Sequence, residues 1–211
     1  MNPIKIGITG GIGSGKSVVS QLLQVLGVPV YDCDAESKRL TVSDPFIRQQ
    51  LIALLGPEVY AIPQRVEESC GSGEYADIQL NKPLLANYLF ASADHVRQIN
   101  AIIHPRLKAA FKQWTQQHSA CQFVAMESAI LFEAGFTDVV DQILMVYAPK
   151  EIRIARAMQR DQTTRDAVES RIRQQLDDEE KRNRSHFVIV NDGNTPVVPQ
   201  VLNFIHLLSE K

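Results

Sequence analysis

The chain has 211 residues, of which 45% are hydrophobic, and its 22 basic and 24 acidic side chains give a formal net charge of −2. This length and composition suffice for one α/β domain with a sizeable core and an inserted lobe. Because the charge is nearly balanced, a global attraction to nucleic acid or to an anionic membrane is excluded, and any polyanion must be bound by a local cluster of charges.

The first predicted strand, residues 4–9, leads into the glycine-rich sequence GGIGSGKS at residues 10–17. Its spacing is G-x-x-x-x-G-K-[ST], and a predicted helix follows over residues 18–26, which is the setting of a phosphate-binding loop. The glycines allow a tight turn whose backbone N–H groups face a polyphosphate, next to the positive end of the helix. We expect Lys16 at the β- and γ-phosphates and the Ser17 hydroxyl in a Mg²⁺ shell. The motif predicts a nucleoside triphosphate site rather than a turn without a ligand.

A second apolar run, residues 28–31, predicts a short strand that ends in the sequence DCD. Ligands of open α/β sheets bind outside the carboxyl ends of the strands. Asp34 is the predicted general base for an acceptor hydroxyl, and Asp32 is assigned to the metal shell or to support of the loop. The reverse assignment is the alternative. Asp34 is also placed to cap the following helix, and this role is compatible with that of a base.

Helices are predicted over residues 35–40, 45–55, 82–91 and 94–117, and an irregular loop or mobile hairpin over residues 56–80. The dipeptide His104-Pro105 predicts a kink or break in the last of these helices. Because residues 56–120 show no strong strand pattern, they are interpreted as a helical lobe inserted in the sheet. His104 and Arg106 are candidate substrate contacts, with a satisfied polar group as the alternative for the histidine.

Three further apolar runs predict strands at residues 122–127, 142–147 and 187–191. Their alternation with helices predicts an α/β fold of the P-loop NTPase type, in which a parallel five-stranded sheet is flanked by helices. The charged helical stretch 149–185 is the predicted lid. The predicted core therefore comprises residues 1–55, 121–148 and 186–211.

Polar residues at the ends of these later strands and in the lid complete the candidate site. Glu127 ends a strand and is either a metal-binding acid or a solvent-facing residue, and Glu133 is either a site residue or a surface residue. Arg156 and Arg160 are four residues apart on one helix face, where guanidinium groups can stabilise a transferring phosphoryl group or form a solvated surface. Asn191 closes the last strand, either as a backbone contact to adenine or as a plain turn.

The three cysteines, at positions 33, 70 and 121, are odd in number and form no C-x-x-C pair. This pattern argues against a disulfide framework or a zinc site and favours a reducing compartment. The sequence opens without a basic and apolar leader, and no apolar run approaches 18 residues. We expect a cytoplasmic protein with a small-molecule substrate, bound to neither nucleic acid nor membrane. No pattern indicates an oligomeric state.

Together these sequences resemble the dephospho-coenzyme A kinase family. The resemblance follows nearly the whole chain, through the strand and phosphate loop at 7–17, the sequence VYDCD at 30–34, HP at 104–105, ILFE at 130–133, Arg156 with Arg160, and VIVN at 188–191. It implies a nucleotide-binding core, a helical substrate lobe and a lid. The implied reaction transfers the γ-phosphoryl group of ATP to the ribose 3′-hydroxyl of dephospho-coenzyme A.

The motifs and the resemblance together give the expected roles of individual residues. The catalytic set is Thr9, Lys16, Asp34 and Arg156. ATP would be bound by Gly11, Ile12, Gly13, Ser14, Gly15, Lys16, Ser17, Val18, Arg160 and Asn191. The substrate would be bound by Asp34, Lys82, His104 and Arg106, and Mg²⁺ by Ser17, Asp32 and Glu127.

The chain departs from the family pattern at several positions. Ala129 replaces a common proline, Glu127 an aspartate, Arg153 a glutamine and Lys82 an arginine, and Ser185-His186 replaces Ala-Asp. None of these departures falls in the phosphate loop or at Asp34, so they concern substrate and lid contacts rather than the reaction.

Two alternative functions fit parts of the sequence. One is another small-molecule P-loop kinase that acts on a nucleoside or nucleotide. The other is a GTP-dependent switch, although the sequence NKPL at residues 81–84 lacks the aspartate of the guanine-reading motif N-K-x-D.

Overall fold

The computed structural model describes residues 2–61 and 78–210. The strands are β1 (Ile4–Thr9), β2 (Val30–Asp32), β3 (Tyr60–Ala61), β4 (Gln79–Leu80), β5 (Phe123–Glu127), β6 (Gln142–Tyr147) and β7 (Phe187–Val190). The helices are α1 (Lys16–Val25), α2 (Cys33–Ser43), α3 (Pro45–Leu55), α4 (Lys82–Ala91), α5 (Ala93–Gln117), α6 (Lys150–Asp161), α7 (Arg165–Arg173), α8 (Asp178–Asn183) and α9 (Val197–Ser209). Two 3₁₀ turns lie at Pro57–Val59 and Phe136–Asp138.

Five parallel strands form the main sheet in the order β2-β5-β1-β6-β7. The central strand β1 pairs Ile6 with Ala125 of β5 and Ile8 with Leu144 of β6. All four side chains are fully buried, as expected where helices cover both faces of a parallel sheet. The predicted α/β class with a parallel five-stranded sheet is confirmed.

Successive side chains of β1 point to opposite faces of the sheet, and both faces are packed. Ile6 and Ile8 belong to a buried apolar cluster with residues of α1 and α9, among them Leu23 and Phe204. On the other face, a side chain at Gly7 would collide with Leu131, at 2.7 Å. Burial of each large apolar side chain contributes roughly 1.5–3 kcal/mol to folding, and this packing fixes the end of β1 where the phosphate loop begins.

The chain divides into two compact units. The first comprises Met1–Cys33 and Ala110–Lys211 and contains the main sheet, and the second comprises Asp34–Ala109. The predicted lobe, residues 56–120, overlaps the second unit over residues 56–109. Residues 34–55, predicted as part of the core, lie in the second unit.

Hydrogen bonds tie residues 34–55 to the rest of the second unit. Arg106 of α5 pairs with Asp44, which caps α3. The buried Tyr60 hydroxyl donates to the backbone oxygen of Thr41 at 2.5 Å, and burial raises the pKa of Tyr60 to about 12, against the opposing charge of Arg48.

The loop or hairpin predicted over residues 56–80 is described only at its ends. These ends form the antiparallel pair β3-β4, in which Tyr60 faces Leu80, and residues 62–77 lie outside the described residues. A kink or a break was predicted at Pro105, and the break is wrong, since α5 is continuous through that residue.

Two further sequence expectations concern the whole chain. Cys33 and Cys121 are free thiols, and Cys70 lies outside the described residues. Among the residues that the structure describes, no helix is both long and apolar enough to cross a membrane.

Candidate active site

The phosphate loop joins β1 to α1 in the conformation that its glycines permit. Gly13 and Gly15 have φ values of 77° and 94°, in the left-handed region that favours glycine. Gly15 is the N-cap of α1, and the first turn of this helix contains no acidic residue. The positive end of the helix dipole is therefore not neutralised from within the helix and remains favourable for an anion.

Lys16 folds back over the loop that contains it. Its Nζ donates to the backbone oxygens of Gly10 at 3.1 Å and of Gly11 at 3.4 Å. The ammonium group is thus held against the loop, where the motif predicts phosphate.

The three residues predicted to hold Mg²⁺ come from adjacent elements. Ser17 Oγ donates to Oε1 of Glu127 at 3.2 Å, and Asp32 is the register partner of Glu127 on the neighbouring strand. Hydroxyl and carboxylate oxygens fit Mg²⁺, which retains several waters and takes further ligands from phosphates. Across residues 2–61 and 78–210, no group of three acidic, histidine or cysteine side chains could hold a metal alone.

Two hydroxyls at the loop are buried. Thr9 and Ser14 are fully buried, and neither side-chain oxygen has a hydrogen-bond partner among the described residues. Thr9 ends β1 directly before the loop, so its position suits support of the loop conformation. Its catalytic role stays a prediction.

Arg156 and Asn191 are brought together behind the second half of the loop. Arg156 Nη1 donates to the backbone oxygen of Asn191 at 3.0 Å, and Nδ2 of Asn191 donates to the backbone oxygen of Ser14 at 2.8 Å. A side chain on Gly15 would collide with the Asn191 amide. The lid helix α6 and the end of β7 therefore support the turn that precedes α1.

Arg160 pairs with its chain neighbour. Its Nε donates to Oδ1 of Asp161 at 2.7 Å, and Arg171 donates to the same carboxylate at 2.9 Å. The hydrogen bond from Arg160 holds the pKa of Asp161 below its usual value, although desolvation opposes the shift. Arg160 is exposed in this pairing, and its contact with ATP stays a prediction.

An ion pair between a buried lysine and a partly exposed glutamate, which no sequence pattern indicated, joins α8 to the segment after β5. Lys181 is fully buried, and its Nζ lies 3.0 Å from Oε1 of Glu133 and donates to the backbone oxygen of Ala129 at 2.9 Å. The same Glu133 oxygen accepts from the backbone N–H of Leu176 at 2.7 Å. Glu133 is thus a structural anchor of the predicted lid. The burial of Lys181 could not be predicted from its neighbours in the sequence, because they are charged and typical of an exposed helix.

A second contact from the lid reaches the first half of the phosphate loop. The Arg153 side chain is buried and donates to Asp178, and Gln175 Oε1 accepts from the backbone N–H of Ile12 at 3.0 Å. Burial raises the pKa of Asp178, while the charges of Arg153 and Lys181 oppose this shift.

Asp34 is the first residue of the second unit. It is exposed in the first turn of α2, where a negative charge interacts favourably with the helix dipole. Because α2 begins at Cys33, Asp34 lies within the first turn of the helix and not at its N-cap. Its role as base, two residues after the end of β2, stays a prediction.

The remaining predicted substrate residues also lie in the second unit. Lys82, the first residue of α4, lines a cavity of about 1080 Å³. His104 is half-buried, and burial together with the charge of Lys108 lowers the pKa of His104. Arg106 is engaged by Asp44 at 2.8 Å, so its nearest role is structural. Substrate binding by these residues stays a prediction.

Comparison with known proteins places this chain in one family. A family profile described as dephospho-CoA kinase matches residues 4–196. The dephospho-CoA kinase of Bacteroides fragilis (strain YCH46) is 52% identical over 208 residues, which cover 99% of this chain and 94% of the relative. The crystal structure of TT1252 from Thermus thermophilus matches with a TM-score of 0.79 and 31% identity, over 98% of each chain. The dephospho-CoA kinase from Campylobacter jejuni shares the fold, with a TM-score of 0.64 and 20% identity over 98% of this chain and 97% of its own. The chain therefore belongs to the dephospho-CoA kinase family.

Proposed function

We propose that this protein transfers the γ-phosphoryl group of ATP to the ribose 3′-hydroxyl of dephospho-coenzyme A, giving coenzyme A and ADP. The observation that supports this most is a formed phosphate loop, with Ser17 and Glu127 in contact at its end, in a chain that matches one kinase family over nearly its full length. A cytoplasmic location, where thiols such as Cys33 stay reduced, is part of the proposal.

ATP is bound by the phosphate loop in this proposal. The backbone N–H groups of residues 13–18 and the end of α1 hold the phosphates, and Lys16 moves from the backbone oxygens to the β- and γ-phosphates. Ser17 and Glu127, with Asp32 on the neighbouring strand, would hold Mg²⁺, and the ion would supply positive charge that neutralises the phosphates. Arg156 reaches the phosphoryl oxygens from the lid.

The proposed base is Asp34. Its carboxylate accepts a hydrogen bond from the 3′-hydroxyl, orients the oxygen toward the γ-phosphorus and takes the proton as the new P–O bond forms and the bond to ADP breaks. Because phosphoryl transfer requires little covalent chemistry from the protein, alignment of the two substrates supplies much of the rate.

The cavity of the second unit is the proposed site for the rest of the acceptor. Apolar side chains such as Leu85 and Ile103 line it together with the cations Lys38, Arg39 and Lys82. Dephospho-coenzyme A has a diphosphate and a long, mostly uncharged arm, so cations beside apolar walls match both parts.

An acceptor panel tests this proposal. ADP release from Mg-ATP is measured with dephospho-coenzyme A, adenosine, AMP and no acceptor. Activity confined to dephospho-coenzyme A supports the proposal. A preference for adenosine or AMP would contradict the proposal that dephospho-coenzyme A is the acceptor. ATP hydrolysis without use of any acceptor would favour a nucleotide-dependent switch.

A further inference from the structure

The buried guanidinium of Arg153 lies beside the phosphate loop. Arg153 is 2% exposed on α6, and a Cβ on Gly11 would overlap its guanidinium group. The backbone oxygen of Arg153 lies close to Gly13, where a side chain would also collide with it. One residue of the lid helix therefore packs against two glycines of the loop.

The guanidinium group is only partly satisfied. Its Nη2 donates to Asp178, whereas Nε and Nη1 are buried and have no hydrogen-bond partner among the described residues. Burying an ionised group is costly unless a counter-charge and hydrogen bonds compensate it. Asp178 is that counter-charge, so the position of Arg153 against Gly11 depends on a residue 25 positions later in the chain.

A neutral contact accompanies the ion pair. Gln175, three residues before Asp178, accepts a hydrogen bond from the backbone N–H of Ile12 at 3.0 Å. The short segment 175–178 thus touches the loop directly at Ile12 and through Arg153 at Gly11. Residues 11 and 12 are adjacent, so the two contacts hold one stretch of backbone.

We propose that Arg153, Asp178 and Gln175 form a clasp that positions residues 11–13 of the phosphate loop for ATP. These three are positioning residues, because they act on the loop backbone and not on the reacting atoms. A loop held in its binding conformation loses less conformational freedom when the phosphates arrive, so the clasp increases ATP affinity. The inference rests on the proposed role of the loop in ATP binding.

Neutralising the clasp on one side and then on both sides tests the proposal. In Asp178→Asn, the charge of Arg153 is left without its counter-charge beside Gly11, and we expect the Kd for ATP to rise about 10-fold. In the double variant Arg153→Gln with Asp178→Asn, two amides replace the ion pair. We expect the ATP affinity of this variant to recover to within about threefold of the wild type.

A matched control separates the clasp from ion pairs of the lid in general. Glu151 pairs with Arg165 at 2.8 Å between α6 and α7, and both side chains are exposed. Glu151→Gln makes the same chemical change as Asp178→Asn in a pair for which no contact with the loop is seen. We expect it to leave the Kd for ATP unchanged.

The hydrogen bond of Gln175 has its own readout. In Gln175→Ala, the exchange of the Ile12 amide, followed by NMR or by mass spectrometry of a peptide that contains it, should accelerate at least about 10-fold. An unchanged exchange rate would contradict the proposed contact at Ile12.

Calorimetric titration of ATP without acceptor measures these effects, so a wrong assignment of the acceptor would leave the result untouched. A lower melting temperature of Asp178→Asn with wild-type ATP affinity would reduce Asp178 to a stabilising residue and overturn the proposal. Equal loss of affinity in the double variant would also overturn it, since the charge pairing would then be irrelevant to the loop.

Discussion

At the scale of single residues, a comparison of Asp34 with Glu36 separates the role of a base from that of an acid that only stabilises the helix. Both lie in the first turn of α2, where either charge interacts favourably with the helix dipole. Of the two, Asp34 is closer to the end of β2, two residues after Asp32, and it is the one proposed to meet the acceptor hydroxyl.

We predict that Asp34→Asn lowers kcat at least about 10²-fold while the Kd for ATP stays unchanged, because the amide cannot accept the proton. Glu36→Gln is the matched control and should retain kcat. Turnover like that of the wild type in Asp34→Asn, or an equal loss in both variants, would show that Asp34 is not the base.

Lys16 is expected to act on binding as well as on rate. Its Nζ now donates to the backbone oxygens of Gly10 and Gly11, and in the proposed complex it neutralises phosphate charge. We predict that Lys16→Ala raises the Kd for ATP by at least about 10-fold and lowers kcat. Unaltered ATP binding in a calorimetric titration would contradict the placement of the phosphates.

Residue contacts could be predicted from the sequence where a motif defines them. Ser17 ends the phosphate loop and Glu127 ends a strand, which predicts both at the metal, and they lie in hydrogen-bond contact. Arg153 and Lys181 lie in charged helical stretches typical of a solvated surface. Their burial depends on Asp178 and Glu133, and no local pattern in the sequence links these partners.

At the scale of the secondary-structure elements, α5 shows how packing overrides a local rule. Pro105 removes one backbone hydrogen bond and disfavours a continuous helix, which is why a kink or break was predicted. The helix nevertheless buries a stripe of side chains at intervals of four residues, which are Ile99, Ile103, Leu107 and Phe111. Burial of this stripe outweighs the local cost of the proline.

The start of α3 depends on one buried carboxylate. Asp44 accepts from the backbone N–H groups of Phe46 and Ile47, at 2.9 and 3.2 Å, and pairs with Arg106. We predict that Asp44→Ala lowers the free energy of unfolding by about 1–3 kcal/mol, measured by urea denaturation, because both the cap and the ion pair are lost. Asp44→Asn retains the cap and should lose less. Equal stability of Asp44→Ala and the wild type would contradict this role.

His104 should make the stability of the protein depend on pH. Burial and the charge of Lys108 hold the pKa of His104 below its ordinary value of 6.5, so the unfolded chain binds the proton more tightly than the folded one. Above about pH 6.5 His104 is neutral in both states, and the folded state keeps its full stability. This stability is lost as the pH falls below about 6.5 and through the lower pKa of the folded state. Denaturation series between pH 7.5 and 5 should show this decline in the wild type, and His104→Gln should reduce it. If the stability of the two proteins depended on pH in the same way, His104 would not be the cause of the decline.

At the scale of the whole molecule, the sheet could be predicted because five apolar runs alternate with helices, a pattern typical of a covered parallel sheet. The cavity of the second unit could not be predicted, because residues that are far apart in the sequence, such as Lys38, Leu80 and Ile103, line it together. The strand order likewise depends on long-range pairing, since β1 lies between β5 and β6.

The position of the transferred phosphate tests the central claim most directly. The product formed from Mg-ATP and dephospho-coenzyme A is isolated, and the new phosphorus is assigned by ³¹P and proton NMR. We predict a phosphomonoester on the ribose 3′-oxygen, with one ADP formed for each product molecule. A phosphate on the 2′-oxygen or on any other part of the acceptor, or inorganic phosphate alone, would contradict the proposed alignment of ATP, acceptor and Asp34.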